Sequence, residues 1–240
     1  MRHMKAGNIA IISARTNKSP NPDHFFVSND PAETKAGEST VQSYNFPLYV
    51  ISDGGYAENI SGPVRKWLDA RYGCHFSPQE ILGYVYAAVY SPSFRTRYAE
   101  FLRTDFPRIP FPERAADFET LSALGWALVQ AHLLRDQPRR GLAAYHGQGD
   151  HTVEAMRYSP DEQAICINKA QSFAPVPQGV WDFHIGGYQV LYKYLKSRKG
   201  RVLSLDEIDH VDAVADSLAF TIEQMAAIDV AYRKAFPDRS

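Results

Sequence analysis

Hydrophobic positions change their spacing along the chain. Two short apolar runs open it, residues 8–14 (NIAIISA) and 24–28 (HFFVS), separated by the turn-rich RTNKSPNPD. They predict two strands joined by an exposed loop. Residues 33–43 are small and polar and read as a loop. Residues 44–52 (YNFPLYVIS) read as a third strand, with Pro47 placing it at an edge or a bulge. From Ser77 the spacing becomes three and four. Ser77-Pro78-Gln79-Glu80 is a capping box with proline at the first helical position, and Ile81, Leu82, Val85, Tyr86 and Val89 follow on one face, so residues 78–90 are predicted helical. Ser91-Pro92 ends that helix and starts another carrying Phe94, Tyr98, Phe101 and Leu102.

Three prolines in the stretch 105–113 (DFPRIPFPE) impose an extended crossing. Phe118, Leu121, Leu124 and Leu128 then predict a helix from Ala115 to Arg135, stopped by Pro138. Residues 139–152 read as loop, and 153–171 as a hairpin turning at Ser159-Pro160-Asp161-Glu162. Val190, Leu191, Tyr194 and Leu195 define a short helix opening near Gly187. Ser204-Leu205-Asp206-Glu207 is a second capping box, with Ile208, Val211, Ala215, Leu218, Ile222 and Met225 recurring behind it. Strands, helices, a hairpin and more helices in this order predict an α+β fold. We expect one domain over residues 1–240, β-rich at 7–52 and 153–171, helical at 78–136 and 187–236.

Composition adds little until its distribution is considered. The 240 residues are 45% hydrophobic and 22% charged, with a formal charge of −1, so no global field draws the chain to a polyanion. The two cysteines, Cys74 and Cys166, have neither CxxC spacing nor a disulfide framework, the usage of a reducing, cytoplasmic setting. The N-terminal apolar core is too short for a signal peptide, and no run reaches the ~18 apolar residues of a membrane span. Charge is nevertheless concentrated locally. Residues 193–201 (KYLKSRKGR) hold five cations and no acid, whereas seven carboxylates lie between Asp206 and Asp229 with no Lys or Arg among them.

The plain account of KYLKSRKGR is a solvated helix C-terminus, where cations suit the macrodipole. The alternative is a phosphate site. Gly200 lets the backbone approach closely, and Lys193, Lys196, Arg198, Lys199 and Arg201 supply charge beside backbone amides. In YHGQGDH, residues 145–151, His146, Asp150 and His151 have ligand chemistry but lack a third ligand at a recognisable spacing. A polar surface loop accounts for them as well. Asp182 and His184 sit on an apolar stretch and read as structural. There is no GxSxG and no P-loop. Arg15, Thr16, Asn17 and Lys18 lie between strands, and Asn168, Lys169 and Gln171 follow the hairpin. Arg, Lys, Asn and Gln match purine edges, though loops are commonly polar without reading anything.

Three stretches together resemble one family: NFPLYV (45–50), ILGYVYAAVYSPSFRTRYAEFLRTDFPRIPFP (81–112) and INKAQSFAPVPQGVWDFHIGGYQVLYKYLKSRKGRVLSLDEI (167–208). They are similar to the C-terminal target-recognition domain of type ISP restriction-modification enzymes and related adenine-N6 DNA methyltransferases. The resemblance implies sequence-specific binding of double-stranded DNA, with a DNA methyltransferase or restriction subunit as the further partner and no role at a membrane. It implies no cofactor and no metal. DNA-facing positions carried onto this sequence are Lys169, Gln171, Lys193, Lys196, Arg198, Lys199 and Arg201, beside Arg15 and Lys18 from the loop reading. No NPPY-type tetrapeptide, S-adenosylmethionine glycine motif, helicase motif or nuclease carboxylate cluster is present. The chain is therefore expected to be non-catalytic, with the acidic long helix facing a partner. The rival readings are a scaffold remnant that no longer binds DNA and a metal-dependent hydrolase using His146, Asp150 and His151.

Overall fold

The computed structural model describes residues 3–4, 7–16, 22–33, 35–36, 41–52 and 55–237. The chain divides into two compact units, Met1–Leu133 with Gln224–Ser240, and Leu134–Glu223. Buried side chains divide the same way, one hydrophobic cluster within each. The α+β class holds, since small antiparallel sheets accompany the helices.

In the first unit β1 (Ala10–Ala14), β2 (Phe25–Ser28) and β3 (Ser43–Pro47) form an antiparallel sheet in the order β2-β1-β3. The third apolar run is not one strand. It breaks at Leu48, whose N–H donates to Ile9 O at 2.7 Å and whose carbonyl accepts from Asn59 N–H at 3.0 Å. Beyond the break β4 (Tyr49–Ser52) pairs with β5 (Gly55–Glu58) in a separate hairpin. Pro47 has no N–H for a ladder, so the sheet changes at that point. Helix α1 (Gly62–Tyr72) escapes the periodicity because only Arg65 and Leu68 are buried on it. Its signals are local instead: a proline in the first turn, and Gly73 at φ 68° closing the last.

Helix α2 (Pro78–Tyr90) has the predicted bounds, and both halves of the Ser77–Glu80 capping box are made. Ser91 then caps α3 (Pro92–Arg97), and α4 (Ala99–Thr104) restarts after Tyr98, so the predicted single helix is two short ones. Helix α5 (Ala115–His132) ends earlier than expected, where Leu134 adopts φ 53°. Helices α2 and α5 touch backbone to backbone. A Cβ on Gly125 would lie 1.9 Å from Gly83 O, and one on Gly83 would lie 2.5 Å from Ser122 O. Around this seam Tyr84, Tyr86 and Tyr90 are buried, each with its hydroxyl engaged: on Pro110 O, on His132 Nδ1 at 2.7 Å, and on Phe25 O at 2.8 Å.

The second unit is built on a four-stranded antiparallel sheet of β6 (Ala144–His146), β7 (Arg157–Ser159), β8 (Ala164–Cys166) and β9 (Ser172–Ala174), in the order β6-β9-β8-β7. The predicted hairpin is β7–β8; β6 arises inside a segment read as loop. A short helix α6 (Gln178–Trp181) and the two-residue strands β10 (His184–Ile185) and β11 (Tyr188–Gln189) lead into α7 (Val190–Lys196). Helix α8 (Leu205–Ala235) gives Ile208, Val211, Ala215 and Leu218 to this unit's core, and Ile228 and Tyr232 to that of the first. Ile222, expected on the apolar seam, is 38% exposed.

Candidate nucleic-acid interface

The basic segment is the end of α7 and the turn that follows. Leu191 and Leu195 anchor α7 in the core, which leaves Lys193, Lys196 and Lys199 exposed. Lys193 Nζ lies 4.6 Å from the Tyr188 ring centroid and Lys196 Nζ 5.3 Å from that of Tyr192, so each charge rests on an aromatic face. Among the described residues none of these lysines has an ion pair. The arginines behave otherwise. Arg198 is half-buried, 3.5 Å from the Tyr194 ring centroid, donating to Glu207 Oε1 at 2.8 Å and to Tyr194 O at 3.0 Å. Arg201 shares the same Glu207 oxygen at 3.2 Å while staying exposed. Glu207 also completes the α8 capping box, accepting from Ser204 N–H at 3.1 Å. That backbone bond first, and then Arg198, holds its carboxyl below the usual range. One acid thus fixes the helix start and the basic turn together.

Hydrogen bonds tie this turn to one remote segment, residues 151–153. Gly200 N–H donates to Val153 O at 2.8 Å, Val153 N–H to Arg201 O at 3.0 Å, and Leu203 N–H to His151 O at 3.0 Å. Gly200 takes φ 79°, which glycine adopts without strain. The 151–153 strip is fastened in turn to the 168–171 turn. His151 N–H donates to Gln171 Oε1 at 3.1 Å, and Asn168 Nδ2 donates to Thr152 O at 3.0 Å. Asn168 Oδ1 closes its own turn by accepting from the amides of Ala170 and Gln171. Two stretches singled out in the sequence, 168–171 and 196–201, are therefore parts of one hydrogen-bonded assembly, with the 147–153 strip between them.

The predicted site residues fare differently. Lys169 is exposed on the turn that joins this assembly. Gln171, expected to face DNA, is instead 2% exposed, its amide oxygen occupied by His151 N–H and Asn168 Nδ2. Arg198 is likewise directed inward. Arg15 belongs to the first unit and pairs with Asp105 at 3.0 Å. Lys18 lies outside the described residues. His146 Nε2 is engaged by Ala174 O at 3.0 Å, and Asp150 Oδ1 accepts from Thr152 N–H at 3.0 Å. Among the described residues no group of three His, Cys, Asp or Glu side chains could hold a metal ion.

The acidic face of α8 does not await a partner as a whole. Arg198 and Arg201 take Glu207, Arg139 lies 3.8 Å from Asp212, and Arg140 takes Glu223 at 2.6 Å. Asp216 is fully buried and accepts from the amides of Arg140 at 2.8 Å and Leu142 at 3.1 Å. Asp229 accepts from Ser91 Oγ at 2.8 Å and Ser93 N–H at 2.7 Å. These acids hold the chain's own loops. Tyr194 and Glu207 were missing from the expected site although each determines where Arg198 goes; their signal was the i+4 spacing of Tyr194 and Arg198 and the capping box.

Solved structures share this fold. A nuclease-deletion mutant of the Type ISP restriction-modification enzyme LlaGI, in complex with a DNA substrate mimic, aligns with TM-score 0.65 and 18% identity over 93% of this chain. The DrdV–DNA complex aligns with TM-score 0.72 and 18% identity over 97%, and the ATP-dependent Type ISP enzyme LlaBIII bound to DNA with 0.71 and 15% over 98%. The chain spans 21%, 25% and 16% of those proteins' lengths. No curated protein matches it, and none of its helices is long and apolar enough to cross a membrane, among the described residues. Residues 1–226 match the Type ISP C-terminal specificity domain, and the chain belongs to that family.

Proposed function

We propose that this chain is a non-catalytic target-recognition module that binds double-stranded DNA within a restriction-modification or DNA adenine methyltransferase system. What carries the reading is the basic segment: Lys193, Lys196, Lys199 and Arg201 are exposed on α7 and the turn after it, and that turn is hydrogen-bonded through Gly200 and Arg201 to Val153. Cations on fixed backbone suit phosphate, because their positions are set before binding and charge-assisted bonds form without reordering the loop. The relatives described with DNA support the same reading. Methylation and cleavage are assigned to other parts of such systems, not to this chain.

Fluorescence anisotropy of a random-sequence duplex tests the anchor. If these four cations each neutralise one phosphate, log K falls against log salt with a slope of about −3.6. Changing Lys193, Lys196 and Lys199 to Ala, with Arg198 kept, is expected to flatten that slope to roughly −0.9. Binding indifferent to both salt and the triple change would remove the anchor and favour a scaffold role.

A further inference from the structure

We propose that Gln148 reads an adenine of the DNA target; this deepens the recognition reading above and rests on it. The residue lies in the glycine-flanked loop between β6 and the 151–153 strip. Gly147, at φ 95°, crosses the 170–171 turn so closely that a Cβ would lie 1.9 Å from Ala170 O. A Cβ on Gly149 would lie 2.7 Å from Gln171 Oε1. The loop is thus pressed onto the same turn on both sides of Gln148, which is itself exposed. Its far end is fixed as well. Asp150 caps Thr152 N–H, His151 sits at φ 62° with its amide on Gln171, and His151 O accepts from Leu203 N–H just beyond the basic turn.

Phosphate contacts set a protein's register on a duplex but carry no sequence information; reading needs a donor–acceptor group delivered to a base edge. A primary carboxamide presents donor and acceptor in one plane, matching N6–H2 and N7 of adenine in the major groove. On fixed backbone only the side-chain rotamers remain to be ordered. The flanking glycines add no bulk that would hold the loop away from the groove. Neighbouring side chains are less suited. His146 is engaged by Ala174 O, and Asp150 already accepts from Thr152 while its charge opposes phosphate. The burial of Gln171 acquires a use on this reading, as the residue that holds the reading loop in place.

Wild-type protein, Gln148→Ala and the control Gln178→Ala, an exposed glutamine of α6, are each used to select from a randomised duplex library. The selected site is then titrated with each base at each position. Wild type and the control are expected to prefer adenine at one position by roughly 5- to 150-fold, the worth of one bidentate contact, and Gln148→Ala to discriminate there by less than about twofold. Thermal melts of the three proteins should coincide, since both positions are exposed. A Gln148→Ala protein selecting the same site with the same adenine preference overturns the proposal and leaves DNA recognition standing. So does a wild type that binds duplex without preferring any site. A wild type that binds no duplex at any salt overturns both.

Discussion

In the first unit Arg65 reaches inward to Glu58 and to Phe76 O at 2.7 Å, and Arg95 to Val89 O at 2.6 Å with the Tyr90 ring centroid 4.7 Å away. In the second, Lys193, Lys196 and Lys199 stand on the surface against aromatic rings or solvent, without an acid partner among the described residues. The same formal charge does opposite work. A planar guanidinium satisfies several acceptors at once and tolerates burial, whereas a compact ammonium on a flexible stem keeps its hydration and remains available. Arg198 follows the arginine pattern although it sits in the middle of the lysines. Charge density in a sequence therefore overstates what a surface offers when an inward-held arginine such as Arg198 is counted with the lysines, although Arg201 in the same turn stays exposed.

Breaking the inward use of charge should have the largest effect. Arg65 is 8% exposed, and its loss leaves the Glu58 carboxylate and Phe76 O without their donor. Arg65→Ala is expected to lower stability by about 3 kcal/mol, read as a shift of the urea midpoint at unchanged slope. Arg65→Lys should recover less than half of it, because one ammonium cannot reproduce the fork. Recovery by lysine to the wild-type midpoint would show that charge alone matters at this position. Arg198→Ala tests the same rule inside the basic turn. It removes the Glu207 bonds and the Tyr194 stack, so about 2 kcal/mol should be lost. Faster amide exchange at Gly200, Arg201 and Leu203 should accompany the loss.

His132 marks a place where the first unit refuses charge. Burial first, and then Arg95, pushes its imidazole down to about 3, and neutral His132 bonds to the Tyr86 hydroxyl. Below the unfolded value near 6.5 the unfolded chain takes up a proton that the folded one does not, so stability falls as pH drops from there toward 3. The loss should be about 1 kcal/mol over the first full pH unit below 6.5, approaching about 1.4 kcal/mol per unit below that. In His132→Gln that component is gone, and the gap between wild-type and variant stability should narrow on acidification over this window. Parallel stability curves for the two proteins would show that His132 titrates normally.

Elements specified by neighbouring residues were legible in the sequence. Ser77 to Glu80 and Ser204 to Glu207 are complete signals within four positions, and both helices start where those signals say. Features that depend on a distant partner were not. Leu48 interrupts a run that alternates well enough for one strand, because its amide and carbonyl find Ile9 and Asn59. Strand β6 has only three residues and exists because β9 pairs with it. Gln171 looked like a surface reader because nothing local marks it as the acceptor for His151, twenty residues away. The acids of α8 looked like one face for the same reason, since their cations and amides come from the 91–93, 139–142 and 198–201 segments. At the site the lysines were legible as charge, while the 151–153 strip that fastens Gly200, Arg201 and Leu203 read only as part of a polar loop and the start of a hairpin.

The smallest expected effect is the one that separates the two uses of charge most sharply. Lys193, Lys196 and Lys199 are exposed and make no ion pair among the described residues, and their aromatic contacts lie at the surface. Together their replacement by Ala should move the urea midpoint by an amount equivalent to less than about 0.5 kcal/mol per site. Relief of repulsion among neighbouring cations opposes the lost cation–π contacts, which keeps the net change small. The same triple change is expected to remove most of the salt dependence of DNA binding. A protein that loses its DNA affinity while its folded state is untouched places these lysines outside the architecture and inside recognition. If the triple variant instead loses stability on the scale of Arg198→Ala, the lysines belong to the turn's construction, and the contrast drawn between the two side chains fails in the segment where it matters most.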